Sequence, residues 1–245
     1  MNIKPRSRIR NKISHLLLKA RKRVENEIRE DFEKSGESYL IHSIAEEYAG
    51  EKITVFDVGA NIGSWSTLLA REVSKHKSVL DLHAFEPDAD YHGPGEFIKA
   101  AVSSTPGTVQ IYKRKDSDQS SLYERRLAHS KQGDAKILEI PAIRLDDYIK
   151  KNNLQHIDLL KIDVEGHELS VLKSLGSYLR PSFVTYIQFE YGITYVDAST
   201  YLLDMYEILK EYRICKLFPN HLEETPYQSD LEDFMFTNYV AVAKI

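Results

Sequence analysis

The period of the hydrophobic positions changes near residue 50. Before it, Ile9, Ile13, Leu16, Leu17 and Ala20 recur at three- and four-residue spacing with basic residues between them, the pattern of one helix face. The run from Glu25 to Glu33 mixes both signs, as a solvated helix face does, and Gly36-Glu37-Ser38 breaks it. A third helix is expected over residues 39–48, ending at Gly50. Beyond it, short apolar runs alternate with helical segments. Strands are predicted at residues 53–58, 79–85, 97–102, 157–162, 183–189, 214–217 and 239–243, and helices at about 64–73, 168–179 and 199–212. Two more strands, at 109–112 and 138–143, flank a polar stretch from Lys113 to Lys136. Such alternation predicts an α/β, doubly wound, mostly parallel sheet.

Charge refines this division. The net charge is −4, yet residues 1–24 carry nine of the 33 basic side chains (Lys4, Arg6, Arg8, Arg10, Lys12, Lys19, Arg21, Lys22, Arg23) and no acid. The rest holds 24 basic residues against all 37 acids. An acidic body argues against a nucleic-acid groove across the main domain. For the basic arm, packing against that body or against a second subunit is preferred to contact with an anionic membrane surface. Cys215 is the only cysteine, which excludes internal disulfides and multi-cysteine metal sites. A cytoplasmic location is expected, with peripheral contact at the inner membrane face left open to the arm. The apolar stretch Leu16-Leu17-Leu18 is too short for a signal-peptide core, and no run of about 18 apolar residues could span a bilayer.

The candidate chemistry sits at strand ends, where open parallel sheets bind ligands. VFDVGANIGS (residues 55–64) is a strand, a tight turn and a helix start. Asn61 stands where a dinucleotide fingerprint needs its second glycine, and the Gly-Lys-Ser/Thr of a P-loop is absent. The loop fits neither phosphate cradle. Phe85-Glu86-Pro87 ends the next strand with an acid placed to accept hydrogen bonds from ribose hydroxyls. Residues 157–168, IDLLKIDVEGHE, run a buried strand into polar residues and a helix. Among these, His167 has a suitable ordinary pKa for a general base, with Asp163 and Glu165 as carboxylate alternatives. Glu168 is read as an acid at a helix N-terminus. Glu190 ends the following strand beside Asp163. That pair could hold Mg²⁺ with waters, although gripping acceptor hydroxyls is the preferred role. Residues 218–234 are read equally as an acceptor wall and as a surface insertion.

Together, DVGANIGS, FEP and LLKIDVEGHE resemble the FkbM family of class I S-adenosylmethionine-dependent methyltransferases, over roughly residues 53–190. The resemblance implies a Rossmann-like fold with an antiparallel last strand. Residues 1–50, outside the resemblance, are read as a helical extension, and residues 51–245 as the S-adenosylmethionine-binding domain. The resemblance also implies O-methylation of a hydroxyl on a sugar, glycan or natural product. The cofactor-binding set so implied is Asp57 toward the amino group, Gly59, Asn61, Gly63 and Ser64 in the loop, Phe85, Glu86, Pro87, and Asp163. The chain departs from the family after Pro87, where residues 88–96 leave no room for a full helix. The adenine side is therefore expected to be open, or closed by Ala101-Val102-Ser103. Two rivals remain: a nucleic-acid 2′-O-methyltransferase gripping phosphates with the arm, and a non-catalytic nucleoside-binding module. Adenine N-methylation and cytosine C5-methylation lack their motifs at residues 163–166.

Overall fold

The structure, a computed structural model, describes residues 8–26, 31–114, 120–123 and 135–244. Lys4 and Arg6 of the basic arm, part of the mixed-charge run and most of the polar stretch 113–136 lie outside the described residues.

The main sheet grows outward from β1 (Lys52–Val58). β1 pairs in parallel with β2 (Val79–Phe85), in register from Lys52↔Val79 to Val58↔Phe85. On its other side Val55 to Val58 pair in parallel with Leu159 to Ile162 of β8 (Ile157–Ile162). β3 (Glu96–Ile98) extends the sheet beyond β2, and β9 (Val184–Tyr191) extends it beyond β8. The order of winding reverses at β1, so the sheet's crevice opens at the carboxyl ends of β1 and β8. The far edge is antiparallel. The last strand, β12 (Thr237–Ala243), inserts between β9 and β10 (Tyr212–Phe218), antiparallel to both. β11 (His221–Glu224) folds back on β10 as a hairpin.

Each face of the sheet buries its own core. Ile53 and Val55 of β1 pack with Leu40, Ile41, Ile44 and Ala45 of α2 (Glu37–Glu47) and with Trp65, Leu69 and Val73 of α3 (Ser64–Lys75). The alternate positions Phe56 and Val58 face α4 (Leu145–Lys151), α5 (Glu168–Ser174) and α7 (Leu202–Ile208). Every residue of β8 is buried, as a central strand covered on both faces requires. The period-2 alternation of β1 is thus what makes the fold doubly wound.

Several expectations change. The apolar run 97–102 is not one strand: it turns at Lys99-Ala100, where the Ala100 amide donates to the Ile98 carbonyl (2.9 Å). β4 (Ala101–Val102) then leaves the main sheet. It joins a second sheet with β5 (Gly107–Arg114), β6 (Ser120–Ser121) and β7 (Ala135–Ile143), in the order β4-β7-β5-β6. The helix expected over 199–212 starts earlier and breaks. α6 (Thr194–Ala198) ends at Ser199, whose φ of 53° is left-handed, and α7 follows. The helix over 168–179 gives way after Ser174 to a 3₁₀ turn at Gly176–Tyr178. α4 and β11 had no signal strong enough to be predicted. Residues 218–234 form the hairpin and then a loop whose Glu232 accepts hydrogen bonds from the first amides of α7, Leu202 (3.0 Å) and Leu203 (2.8 Å).

The two N-terminal helices behave differently. α2 is part of the main core, whereas α1 (Arg8–Val24) leaves Ile13, Leu16, Leu17 and Val24 exposed. The chain between them is pinned. Asn26 is buried and donates to the Leu217 carbonyl (3.0 Å), Glu25 pairs with Lys216, and Arg21 pairs with Asp233.

Candidate active site

The loop after β1 is shaped by its contact with the end of β8. Gly59 has φ +84°, and a β-carbon there would lie 1.8 Å from the Asp163 carbonyl oxygen, so no other residue fits. The Gly59 and Ala60 amides both donate to the Phe85 carbonyl (2.9 and 3.1 Å), tying the loop to β2. Asn61 also takes a left-handed conformation, with φ 48°. Its amide donates to Glu86 Oε2 (3.1 Å), so the candidate ribose acid and the loop are directly linked. Glu86 Oε1 accepts from the Asp88 and Ala89 amides (2.8 and 3.1 Å). A carboxylate has about four lone-pair sites, so with three taken, capacity for one ribose hydroxyl remains.

No helix follows Pro87, as the spacing implied. A loop packs instead on the turn, with Gly93 so close to Gly63 that a β-carbon on Gly63 would lie 2.6 Å from the Gly93 nitrogen. Tyr91 stacks on Phe97 with ring centroids 4.9 Å apart. The second sheet closes this side with Ala101, Val102 and Ile111, and Lys113 pairs with Asp88 at 2.9 Å.

Asp57 lies under the loop, not in it. It is fully buried, accepting from Ser66 Oγ (2.6 Å) and from Lys161 Nζ (3.2 Å). Lys161, also buried, reaches Asp163 at 3.5 Å and lies 5.6 Å from the Trp65 ring centroid. Burial acts to lower the Lys161 pKa, but Asp57, Asp163 and Glu37 outweigh it and hold the ammonium above the ordinary lysine range. A buried cation flanked by acids ties the base of the glycine loop to the end of β8.

The polar turn after β8 carries Asp163, Glu165 and His167. Glu165 is held at φ 55°, an uncommon conformation for a non-glycine residue and a frequent companion of function. Its neighbour Glu168 is buried, and its Oε1 accepts from the Val164 and Gly166 amides (3.2 Å each). Burial pushes Glu168 up to about 8 despite those bonds. The favourable helix-terminus charge expected from the sequence is therefore suppressed by desolvation. His167 turns toward the second sheet. Its Nδ1 contacts Tyr123 Oη (2.9 Å), its Nε2 contacts Ser103 Oγ (3.2 Å), and burial lowers its pKa to about 4.

These elements enclose a cavity of about 1340 Å³. One end is lined by Gly59, Asn61, Ser64, Phe85, Glu86 and Pro87, with Ala101 and Val102 closing it. Asp163, Glu165 and Glu190 line the other. The register Ile162↔Phe189 places Asp163 and Glu190 at adjacent strand ends. Asp57, Gly63 and His167 do not line the cavity. Asp31, Phe32, Ser35, Glu37, Gln188, Phe236 and Asn238 do, none of them singled out by sequence reasoning.

Among the described residues one cluster has three close metal-ligand atoms: His42, Glu72 and His76, on the outer face of α2 and α3. It lies apart from the cavity.

A glycine turn meeting an acid at the next strand end, beyond a doubly wound sheet with an antiparallel final strand, defines a class I methyltransferase. The chain belongs to the FkbM methyltransferases: the Methyltransferase FkbM domain matches residues 57–214. It is 25% identical over 178 residues to the hexuronic acid methyltransferase AglP of Haloferax volcanii, covering 68% of this chain and 68% of that protein. It is 27% identical over 158 residues to methyltransferase sdnD of Sordaria araneosa, covering 49% of this chain and 60% of that protein. The plantazolicin methyltransferase BpumL, solved with SAH, aligns with 10% identity and a TM-score of 0.41, covering 97% of this chain and 91% of that chain.

Proposed function

We propose that this S-adenosylmethionine-dependent methyltransferase transfers its methyl group to a hydroxyl of a sugar, glycan or natural product. The observation that carries the reading is the single cavity with two chemically different ends: a glycine turn with Glu86, and a set of carboxylates at the strand ends.

S-adenosylmethionine fits the first end. The Gly59 turn, tight against the Asp163 carbonyl, lines this end together with Asn61, and Glu86 stands beside it as the acceptor for a ribose hydroxyl. Trp65 Nε1 is a buried donor without a partner at the same wall. When bound, the cofactor supplies a methyl group activated on a sulfonium. Asp57 supports this end from beneath by holding Lys161 and Ser66. The volume exceeds the upper range of about 1,000 Å³ for one ligand pocket, so an acceptor has room beside the nucleoside.

The chain's own task is to orient the acceptor hydroxyl and accept its proton. We assign proton acceptance to the carboxylates Asp163 and Glu190, with Glu165 beside them. His167 is assigned a structural role. Both of its ring nitrogens are engaged, by Tyr123 and Ser103, and it does not line the cavity. The carboxylate assignment is preferred to a Mg²⁺ site because the Lys161 ammonium already occupies the neighbourhood of Asp163 that a divalent cation would need. An acid-lined acceptor end also disfavours a phosphate backbone, and with it the 2′-O-methyltransferase of nucleic acids.

Calorimetry with S-adenosylhomocysteine should give about one site per chain, and Glu86→Ala should weaken it by roughly 1–3 kcal/mol through loss of charge-assisted hydrogen bonds. With isotope-labelled S-adenosylmethionine, the label should appear as a methyl ether on a glycoside. Label found only on nitrogen or as a carboxyl ester would overturn the O-methylation reading and leave the cofactor site standing.

A further inference from the structure

The acceptor end of the cavity is completed by residues that precede the family match. Ser35 and Glu37 come from the turn before α2 and its first residue, whereas the match begins at residue 57. Glu37 Oε1 accepts a hydrogen bond from Gln188 Nε2 (3.0 Å), and Oε2 accepts one from Ser35 Oγ (2.8 Å). Gly36 makes this placement possible: with φ +91° it lies so close to β10 that a β-carbon would meet the Phe218 carbonyl oxygen at 2.6 Å. A segment distant in sequence is thereby pressed against the β9 wall.

The Asn238 amide can donate on this wall, but acceptors outnumber donors. Glu37, Asp163 and Glu190 present carboxylates, and Gln188, 2% exposed, has a side-chain oxygen with no partner. The cation among them, Lys161, is already committed to Asp57 and Asp163. Lys113 and Lys136, the other lysines lining the cavity, face each other across β5 and β7 in the second sheet, on the nucleoside side. Burial raises the Glu37 pKa and Lys161 opposes it. Such a wall has acceptors in excess, so its ligand has to bring the donors. Hydroxyl and ammonium groups do; a carboxylate brings none and meets like charge.

Resting on the methyltransferase reading of this cavity, we propose that Glu37, held by Ser35 and Gln188, anchors an acceptor subsite for a hydroxyl-rich glycoside that is neutral or amine-bearing and not acidic. The N-terminal segment is then a specificity element of the site. AglP, the relative named for hexuronic acid, would differ from this chain in the charge of acceptor it takes.

The test uses the full chain saturated with S-adenosylhomocysteine and three probes of one ring type: a methyl glucoside, a methyl glucosaminide and a methyl glucuronide, titrated by ligand-observed NMR. The glucoside and glucosaminide should bind, with the glucuronide about tenfold weaker or more. Glu37→Ala should weaken the first two by about tenfold. Glu37→Gln, which preserves shape, should narrow the gap to the glucuronide. S-adenosylhomocysteine affinity should be unchanged in both variants. A glucuronide that binds as well as the others, or unchanged probe affinities in both variants, overturns the proposal. So does failure of all three probes on cofactor-loaded protein, which leaves the cofactor reading intact. Absent S-adenosylhomocysteine binding in the unsubstituted chain would sink both readings together.

Discussion

The two ends of the cavity are built by different means. At the nucleoside end the wall is mostly backbone: Gly59 against the Asp163 carbonyl, two loop amides on the Phe85 carbonyl, and the Asn61 amide on Glu86. At the acceptor end it is mostly side chains, brought from residues 37, 163, 188, 190 and 238. A backbone wall needs glycine and a fixed turn, which constrains neighbours in sequence. A side-chain wall can be altered one residue at a time, and this is where chains of one fold diverge in substrate.

Lys161 joins the two ends, so its removal should have the largest effect. Lys161→Met leaves Asp57 buried without its cation, and breaking such a pair costs about 3–5 kcal/mol. Asp57→Asn in the same chain should recover part of that loss, because the uncompensated charge is gone. Urea denaturation of the parent and the two variants measures it. A loss below about 1 kcal/mol in Lys161→Met would show that water already reaches Asp57, and that the ends are not coupled through this lysine.

Glu168 tests the segment on which the two ends meet, since it holds the Val164 and Gly166 amides. Its folded pKa of about 8 lies above its ordinary 4.5. The folded state therefore binds the proton more tightly than the unfolded state. Its contribution is fully present below pH 4.5 and declines as pH rises toward 8. Glu168→Gln keeps the shape and removes the titration. The variant should be more stable than the parent at pH 8.5 by about 2–4 kcal/mol, with the difference vanishing near pH 4.5. Parallel stability–pH curves would mean that Glu168 is solvated in solution.

What could be read from the sequence follows the same division. The glycine turn, Phe85-Glu86-Pro87 and the two strands 79–85 and 157–162 were legible because strand periodicity and turn chemistry are local. The antiparallel last strand came with the family resemblance. Glu37 was invisible: an acid at a helix N-terminus has an ordinary local explanation, and only the tertiary approach of Gly36 to Phe218 turns it toward the cavity. His167 is the opposite case. Its position after a strand-end glycine suggested catalysis, but the unforeseen second sheet supplies Tyr123 and Ser103, which take its ring nitrogens. The run 97–102 misled because apolar content alone does not reveal a change of sheet.

The smallest effect is expected from the arm, where a second contrast sharpens the first. α1 and α2 both have a helical apolar stripe, yet Leu40, Ile41 and Ile44 of α2 are buried while Leu16 and Leu17 of α1 are 67% and 65% exposed. The difference lies in what the chain offers opposite each stripe: α2 meets β1 and α3, and among the described residues the apolar face of α1 meets no core. Burial, not amphipathicity, is what stabilises a helix in a fold. Deleting residues 1–24 removes the Arg21–Asp233 pair but retains Glu25 and Asn26, which pin the following segment. Stability should fall by no more than about 1 kcal/mol, the scale of a surface ion pair, and S-adenosylhomocysteine affinity should not change. A loss above about 3 kcal/mol would mean that the arm packs on the acidic body of its own chain, one of the two packings that the sequence favours over a membrane. With stability retained, mass in solution and sedimentation with anionic vesicles, each compared with and without the arm, separate a second copy from a membrane as the surface that covers the stripe.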